Sequence, residues 1–540
     1  MHSKNEKIIL KIEDITPEGS GVGRAEDGYV LFVPGTAPGD TAECTVLKVG
    51  RSYGYAKADS ITEPSPHRTD PGCGAFGRCG GCALRHIGYD YELEIKGRWI
   101  AESFRRIGGF DIGKVNVRAP SFPDRYRNKA EYPAGTDREG RLRFGLYAPR
   151  SHRVVACTDC LLVPGFHRKI IAAAEDFCNS RGFSAYEDGK GGLIRHLFIR
   201  DARATGQTSV SLIVNGRELP DREGFAAAVK EALPGVTSVS VIYNEKPGNV
   251  ILGDRYETIY GSERITDRLC GLDFEISPLS FYQVNRDGAE LLYGIAGEML
   301  GDCPGTLIDL YCGIGTVGLS LAGRAGGLIG VEIIPQAVDD ARRNAALNGT
   351  DNAEFICGDA AAAAEKLAVE GIKPSAVVID PPRKGCAPSV IADIIKMSPE
   401  KIVMISCNHA TGARDAALLC EGGYRLERIE GVDMFPRTGH VETVVLLRRK
   451  NIDDHLGFVW TDEEFGTKGC RATYPDIQAY IQEKYGFKVS NLNIAQIKRK
   501  CGIIERENYN LPKSENSRQA GCTEEKEAAI MDAFRHFQLI

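Results

Sequence analysis

A cysteine at the end of an apolar run is the first residue whose chemistry the sequence singles out. Residues 402–405 are all apolar, as in a buried strand, and Ser406, Cys407 and Asn408 follow directly. Open α/β sheets bind ligands outside the carboxyl ends of their strands, so Cys407 is expected to face such a site, where a thiol can act as a nucleophile. The alternative is an inert core thiol, because free cysteines are among the most often buried residues.

A glycine-rich stretch predicts a nucleotide-type cofactor site. Three glycines follow a predicted strand at residues 307–310 and open a predicted helix, which is the setting in which G-x-G-x-x-G binds a cofactor. They are Gly313, Gly315 and Gly318. Glu332 ends the next predicted strand, nineteen residues after Gly313. A carboxylate in this place can accept hydrogen bonds from both ribose hydroxyls of a nucleoside.

The two strands that follow decide which cofactor the site would take. Asp359 comes after the first of them and could meet the amino group of an adenine. The second, at residues 376–379, leads into Asp380-Pro381-Pro382-Arg383. No second half of a dinucleotide fingerprint follows, so the pattern favours S-adenosylmethionine over NAD. Enzymes that methylate exocyclic amines usually carry an aromatic residue where Arg383 stands, which argues against that reaction.

A second cluster of cysteines predicts a metal site. Cys73, Cys79 and Cys82 have the spacing C-x5-C-x2-C in a glycine-rich loop, which can fold tightly enough to bring three sulfurs together. The fourth thiolate would come from Cys157 or Cys160. Four thiolates can hold zinc or an iron–sulfur cluster, and three close ligands with one distant ligand favour a [4Fe–4S] cluster. Unrelated thiols are the alternative.

Length and composition indicate a large intracellular protein. The chain has 540 residues, of which 43% are hydrophobic and 26% are charged, so three or four domains are expected. Its 17 cysteines are scattered rather than dense, which favours metal or catalytic use over disulfides. The polar N-terminus and the lack of any long apolar run predict a cytoplasmic protein without a membrane segment. No feature indicates an obligate protein partner.

The patterns predict a multidomain α/β protein in four parts. Short strands separated by Pro-Gly turns predict a small OB-like barrel, helical and strand patterns mix in the middle, a Rossmann-like methyltransferase domain follows, and three short helices form a small C-terminal tail. The boundaries are 1–64 for the barrel, 65–270 for the central domain, 271–450 for the methyltransferase domain and 451–540 for the helical tail. Nucleic-acid contact and simple packing are both open as roles for the tail.

Local charge predicts where RNA would bind, because the net charge of −6 gives no general attraction to phosphates. Residues 121–153 combine eight arginines and lysines with interleaved aromatic residues, a mixture that can neutralise phosphates and stack on bases; the interleaved residues are Tyr126, Tyr132, Phe144 and Tyr147. The basic segment at residues 195–200 could extend this groove. A solvated charged face is the alternative.

Several separated motifs resemble one known family. Residues 19–24 and 33–40 resemble the TRAM domain, an OB-like barrel of RNA-modifying enzymes. The motif around Gln283, the glycine loop, the D-P-P-R and S-C-N motifs and the stretch from Asp433 to Glu442 occur in the order found in RNA uracil-5-methyltransferases. The resemblance covers roughly residues 4 to 449. It departs from the family at His409, where a proline usually follows S-C-N.

The resemblance implies the chemistry of two residues. C5 of uracil is a poor nucleophile, and addition of a thiolate to C6 turns it into an enolate carbon that can attack a methyl sulfonium. Cys407 would supply that thiolate. Glu442 would then remove the C5 proton as a general base. The target base must be unstacked to reach such a pocket.

The resemblance also implies the ligands and the substrate. S-adenosylmethionine would be bound by Gln283, Tyr311, Glu332, Asp359 and Asp380. Cys160 would be the fourth ligand of a [4Fe–4S] cluster beside Cys73, Cys79 and Cys82. The barrel together with the cysteine motif favours 23S ribosomal RNA as partner. Transfer RNA, and a non-catalytic iron–sulfur protein that binds RNA, are the alternatives.

Overall fold

The computed structural model describes residues 2–156, 159–248, 250–450, 474–500 and 524–537. The chain divides into two compact units, at residues 1–451 and 452–540. The first unit begins with five strands that close into a barrel in the order β1-β2-β3-β5-β4, so the predicted small barrel is confirmed. The strands are β1 (Lys7–Ile15), β2 (Ser20–Arg24), β3 (Val30–Pro34), β4 (Thr41–Val49) and β5 (Tyr53–Glu63). Alternate apolar residues such as Leu10 and Val46 fill its interior.

The middle of the chain builds a seven-stranded sheet and a small hairpin. The elements are α1 (Tyr89–Arg106), β6 (Val117–Arg118), β7 (Lys129–Thr136), β8 (Leu142–Tyr147), β9 (Val154–Ala156), α2 (His167–Ser180), β10 (Ile194–Ala202), β11 (Gln207–Val214), α3 (Arg222–Ala232), β12 (Ser238–Tyr243), β13 (Arg255–Gly261), β14 (Ile265–Leu269) and β15 (Leu272–Ile276). The sheet has the order β13-β12-β11-β10-β7-β8-β9, and β14 pairs with β15. Helices α2 and α3 cover one face of this sheet.

The methyltransferase part is an eight-stranded sheet between two layers of helices, as predicted for a Rossmann-like domain. Its elements are α4 (Arg286–Leu300), β16 (Cys303–Leu310), α5 (Thr316–Ala322), β17 (Ala325–Glu332), α6 (Pro335–Leu347), β18 (Ala353–Cys357), α7 (Ala360–Val369), β19 (Ala376–Ile379), α8 (Pro388–Met397), β20 (Lys401–Ser406), α9 (His409–Glu421), β21 (Tyr424–Val432) and β22 (Glu442–Arg449). The strand order is β18-β17-β16-β19-β20-β22-β21-β6.

This strand order determines where a ligand can bind. Strands β16 to β20 run parallel. Strands β17 and β18 lie on one side of β16, and strands β19 and β20 lie on the other side. The carboxyl ends of β16, β17, β19 and β20 therefore meet at one edge of the sheet, the usual ligand position in such folds. Strand β22 returns antiparallel beside β20 and begins at that edge.

Two segments from the predicted central domain pack on the methyltransferase sheet. Strand β6 pairs parallel with β21 through Val117 and Arg118, and α1 contacts α9. A strand of two residues carries no periodic pattern, so this pairing cannot be predicted from local sequence. The segment 89–118 consequently belongs to the framework of the candidate active site as well as to the central part of the chain.

The second unit contains the three helices that the sequence predicts in the tail. They are α10 (Tyr474–Tyr485), α11 (Asn491–Lys500) and α12 (Glu524–His536). Ile477, Ile481, Ile494, Ile497 and Ile530 form its buried core together with Phe534. No helix in the described parts of either unit is both long and apolar enough to span a membrane.

Candidate active site

Cys407 and Glu442 stand opposite each other at the ligand-binding edge of the sheet. Ser406, the last residue of β20, pairs with Thr443 of β22 in an antiparallel register. Cys407 directly follows Ser406 and Glu442 directly precedes Thr443, so this register brings the predicted nucleophile and the predicted base close together. Glu442 is buried and Cys407 is half-buried. The strand pairing thus brings together two residues that are 35 positions apart in the sequence.

Short polar contacts hold the backbone around Cys407. The Ser406 hydroxyl donates to the carbonyl of Asn408 over 2.9 Å, and the Asn408 side chain accepts from the backbone N–H of Ala410 over 3.1 Å. Asn408 thereby caps α9, so Cys407 lies directly before a helix N-terminus whose dipole favours a thiolate. His409, the departure from the family pattern, contacts Ser103 of α1 over 2.6 Å.

Burial raises the pKa of the candidate reacting groups and so favours their protonated forms. Burial, with smaller contributions from the carboxylates of Glu442 and Asp380, raises the pKa of the Cys407 thiol to about 11. Burial and the Asp380 carboxylate raise the pKa of Glu442 to about 8, and Glu442 Oε2 meets no hydrogen-bond donor among the described residues. Burial also raises the pKa of Asp380 to about 7. A base with a pKa close to the working pH is well suited to proton abstraction.

Arg383 is the positive group of this site. Its guanidinium lowers the pKa of both Cys407 and Glu442, against the effect of burial. One guanidinium nitrogen lies 3.2 Å from Nε2 of His440. The backbone carbonyl of Arg383 accepts a hydrogen bond from the Asn408 side chain over 3.1 Å. This hydrogen bond joins the D-P-P-R loop to the S-C-N loop. Arg383 is therefore placed to favour the thiolate of Cys407.

The glycine loop has the backbone that a cofactor cradle requires. Tyr311 and Gly313 have φ of 71° and 56°, and space is open where a Cβ on Gly313 would lie. Glu332 Oε2 accepts from the N–H of Gly313 over 3.1 Å, and Oε1 accepts from the N–H of Ile334 over 2.9 Å. The loop between β16 and α5 and the end of β17 thus form one rigid edge. These residues fit a nucleoside cofactor.

The remaining predicted cofactor residues flank this edge. Gln283 is buried, and its carbonyl accepts from the Asn128 side chain over 2.9 Å. Burial raises the pKa of the Tyr293 phenol, and side-chain hydrogen bonds with Thr316 and Gln283 act against this rise. Asp359 is exposed and caps α7 by accepting from the N–H of Ala361 over 3.0 Å.

Asp309 and Phe281 are further candidates that sequence reasoning missed. Asp309 lies in the buried strand β16, accepts from the N–H of Gly318 over 2.7 Å, and has a pKa raised by burial to about 8. The signal in the sequence that could have identified Asp309 was an acidic residue inside an otherwise apolar strand. Phe281 stands two residues before Gln283 and exposes 64% of its surface, so an aromatic face is free to stack on a base.

The connection between β21 and β22 carries the chain into Glu442 and is held by a buried charge cluster. Lys96 of α1 donates to Asp433 Oδ1 over 2.8 Å and to Glu92 Oε1 over 2.7 Å, and all three side chains are fully buried. Tyr89 also donates to Asp433 over 2.9 Å. Glu92 in turn accepts from the N–H of Arg437 over 2.7 Å. Helix α1 thereby fixes both ends of the turn that precedes Glu442.

The cysteine segment, residues 73–84, and the barrel also contact the connection between β21 and β22. The carbonyl of Arg437 accepts from the N–H groups of Ala83 and Leu84, each over 3.0 Å, directly after the C-x5-C-x2-C loop. Gly439 lies so close to the barrel that a Cβ would collide with the carbonyl of Pro17. Three segments from the first hundred residues therefore converge on the approach to Glu442.

The predicted metal ligands surround one cavity. Cys73, Cys79, Cys82 and Cys160 line an enclosed space of about 260 Å³. Within the described ranges, no three His, Cys, Asp or Glu side chains are close enough to share one metal ion. The cavity wall also contains the basic residues Arg85, Arg127 and Lys129. Cys157, the alternative fourth ligand, lies outside the described residues.

The predicted RNA groove at residues 121–153 is only partly exposed. Tyr126, Tyr132 and Phe144 are core residues with at most 2% exposure, so the prediction that they stack on bases is wrong. Tyr126 lies before β7 and Tyr132 lies within β7, whereas in β8 the buried Phe144 follows the partly exposed Arg143, as the alternation of a strand requires. Arg195 and Arg200 are likewise buried and donate to backbone carbonyls. The predicted basic extension of the groove is therefore wrong as well.

Comparison with known proteins agrees with this architecture. A family model described as tRNA (Uracil-5-)-methyltransferase matches residues 188–450, and the TRAM domain model matches residues 4–58. An uncharacterized RNA methyltransferase of Halalkalibacterium halodurans is 40% identical over 454 residues, which are 83% of this chain and 98% of that protein. One from Bacillus cereus is 39% identical over 449 residues, 83% of this chain and 97% of that protein.

A solved structure shares most of the fold. The tRNA (uracil-54, C5)-methyltransferase of Pyrococcus abyssi, in complex with S-adenosyl-L-homocysteine, aligns with a TM-score of 0.65 at 28% identity. The match covers 81% of this chain and 99% of that chain. The chain therefore belongs to the RNA uracil-5-methyltransferase family, with an S-adenosylmethionine-dependent methyltransferase fold and a TRAM domain.

Proposed function

We propose that this enzyme methylates C5 of a uridine in RNA through a covalent adduct with Cys407. The observation that carries the proposal is the closeness of Cys407 to the buried Glu442, because these residues adjoin the paired residues Ser406 and Thr443 at the carboxyl edge of the sheet. A thiol beside a carboxyl group whose pKa is raised to about 8 provides a nucleophile and a base in one site. The glycine loop and Glu332 lie at the same edge and fit the cofactor.

The bond changes balance with these two residues and the methyl donor. The Cys407 thiolate forms a bond to C6 of uracil, and the C5=C6 electron pair moves onto C5. C5 would then form a bond to the methyl group that bound S-adenosylmethionine supplies, while the bond between that methyl group and sulfur breaks and its electron pair stays on sulfur. Glu442 then takes the C5 proton, the C5=C6 bond re-forms, and the Cys407 thiolate is expelled. Arg383 stabilises the thiolate at both ends of this sequence.

Gln283, Tyr311, Glu332, Asp359 and Asp380 would hold the cofactor. Glu332, already oriented by two backbone N–H groups, would receive the ribose hydroxyls. Tyr311 has a left-handed backbone, which makes the turn from β16 into the glycine loop sharp. Tyr311 would thereby place the glycine loop against the cofactor. Asp359 would direct its free oxygen to an adenine amino group while the other caps α7.

Methyl transfer to isolated RNAs tests the function and the substrate together. Purified enzyme with radiolabelled S-adenosylmethionine is expected to label 23S ribosomal RNA, and digestion should yield 5-methyluridine as the labelled nucleoside. The barrel and the cysteine segment support the ribosomal substrate, whereas the Pyrococcus abyssi neighbour is a tRNA methyltransferase. Labelling of transfer RNA alone would favour that alternative, and labelling of another base would contradict the proposal.

We also infer that Cys73, Cys79, Cys82 and Cys160 hold a [4Fe–4S] cluster. A four-iron cluster is larger than a single ion, so its thiolates stand farther apart than those around zinc. The four thiols line one cavity of about 260 Å³, and burial together with the nearby Cys160 and Cys73 thiols raises the pKa of Cys79, so the thiols are placed to share one cluster. Arg85, Arg127 and Lys129 in the cavity wall would balance its negative charge.

Metal analysis after anaerobic purification tests the cluster. We expect four iron atoms per chain and a visible absorption band in the wild type, and loss of both in Cys82→Ala. The exposed Cys270→Ala is the matched control and should keep its iron. One zinc ion per chain without iron would contradict the inference.

A further inference from the structure

His440 lies two residues before Glu442, and no step of the proposed reaction uses it. Its Nε2 is 3.2 Å from a guanidinium nitrogen of Arg383. A guanidinium has hydrogen-bond donors only, so Nε2 must accept this hydrogen bond through its lone pair, and the ring proton must be on Nδ1. The contact therefore fixes the tautomer of His440 and gives the Arg383 side chain an acceptor.

The backbone on each side of this hydrogen bond is fixed by contacts of its own. The N–H of His440 donates to the Thr438 hydroxyl over 3.3 Å, and the preceding Gly439 packs closely against the barrel. On the other side, the carbonyl of Arg383 accepts from the Thr411 hydroxyl over 3.3 Å. The imidazole thus offers an acceptor at a fixed place, whereas the long Arg383 side chain has many rotamers from which this acceptor selects.

The hydrogen bond leaves the positive charge of Arg383 uncompensated. Within the described ranges, no carboxylate forms an ion pair with its guanidinium, whose side-chain partner there is the His440 imidazole. The charge acts instead on Cys407 and Glu442, whose pKa values burial raises and the guanidinium lowers. A carboxylate in the place of the imidazole would also orient the guanidinium, but it would offset the positive charge at the thiol.

The imidazole is neutral in these surroundings. Although His440 is exposed in part, desolvation of its ring and the positive charges of Arg383, Lys96 and Arg127 lower its pKa to about 4, and Glu18 has a smaller opposing effect. A protonated ring would lose the lone pair at Nε2 and would repel the guanidinium. The hydrogen bond to Arg383 is therefore expected to persist at neutral and alkaline pH.

We propose that His440 is a positioning residue for the proposed reaction. Its neutral imidazole holds the Arg383 guanidinium beside Cys407 and leaves the positive charge free to stabilise the thiolate. The inference rests on the proposed role of Cys407 as nucleophile, but its test needs neither RNA nor cofactor. A direct contact of His440 with RNA is the competing role, and the same experiment separates the two.

The reactivity of the Cys407 thiol in the full-length protein tests this role. Iodoacetamide alkylates thiolates, so the rate of modification measures the thiolate fraction at each pH, with mass spectrometry of the peptide that contains Cys407 as the readout. His440→Gln and His440→Asn are the matched pair, because the Gln amide reaches the position of Nε2 whereas the Asn amide reaches only that of Nδ1. We expect His440→Asn to slow alkylation at about pH 8 roughly threefold or more, and His440→Gln to keep the wild-type rate.

A double variant shows whether His440 acts through Arg383. Arg383→Leu should slow the alkylation of Cys407 at least as much as His440→Asn does. The two changes together should be no slower than Arg383→Leu alone, since both remove the same interaction. Alkylation of Cys420 is the internal control and should proceed at one rate in all of these proteins, which also shows that each variant is folded.

Three results would overturn the proposal. They are wild-type alkylation of Cys407 in His440→Asn, equal slowing in His440→Gln and His440→Asn, and additive slowing in the double variant. Wild-type alkylation together with loss of methyl transfer in His440→Asn would assign the imidazole to RNA binding instead. The expected alkylation rates with no methylated RNA would contradict the proposed function alone.

Discussion

Cys407→Ala is expected to lose methyl transfer by roughly 10⁴- to 10⁶-fold, the scale seen when an enzyme loses its nucleophile. The reason is chemical: without the thiolate at C6, C5 of uracil stays too weak a nucleophile to attack the methyl group. Wild-type enzyme and RNA that carries 5-fluorouridine should form an adduct that survives denaturation, because fluorine cannot leave C5 as a proton. Denaturing gel electrophoresis of labelled RNA measures this adduct directly.

The control for Cys407→Ala is a cysteine in the adjoining helix. Cys420 is partly buried in α9, and Cys420→Ala should leave both the adduct and the turnover unchanged. Adduct formation at the wild-type level by Cys407→Ala would show that another group attacks uracil.

Glu442→Gln is expected to stop the reaction one step later. The amide keeps the shape of the side chain but cannot take the C5 proton, so we expect a covalent adduct with ordinary RNA that already carries the new methyl group. Turnover should fall by roughly 10²- to 10⁴-fold, the usual contribution of a general base. Mass spectrometry of the nucleotide that remains attached to Cys407 identifies the trapped species.

The pH dependence gives a second measure of the same residue. The pKa of Glu442 is raised to about 8, so the carboxyl group is mostly protonated at pH 6 and mostly ionised above pH 8. Resolution of the adduct in the wild type should therefore accelerate as the pH rises from 6 to about 8, and Glu442→Gln should lose this dependence. Glu427→Gln, an exposed acid paired with Arg448, is the control. Wild-type turnover in Glu442→Gln would exclude Glu442 as the base.

Much of the sheet and the candidate centre followed from the sequence, because short-range patterns encode both. Apolar runs such as residues 402–405 are strands in the structure, and the motif that ends at Glu442 begins the neighbouring strand. The roles of Cys407 and Glu442 stay predictions, although the strand register brings them opposite each other. The [4Fe–4S] cluster also stays a prediction.

Predictions from the sequence were wrong for residue types that occur both in protein cores and on binding surfaces. Tyr126, Tyr132 and Phe144 lie among basic residues in the sequence, but they are buried core residues and form no mixed RNA surface. Asp309 was overlooked because a single acid does not disturb a strand pattern. The contact between Lys96 and Asp433 joins residues 337 positions apart, and no local pattern can report such a distance.

The converging contacts before Glu442 have a consequence for the synthesis of the chain. Lys96, Glu92 and the barrel turn at Pro17 emerge from the ribosome long before Asp433 and Gly439. Until those late residues arrive, the Lys96 ammonium and the Glu92 carboxylate have only each other, and the approach to Glu442 has no support. A nascent or truncated chain can therefore fold its barrel without possessing an ordered base. Support for the approach to Glu442 is therefore complete only when residues 433–439 are present.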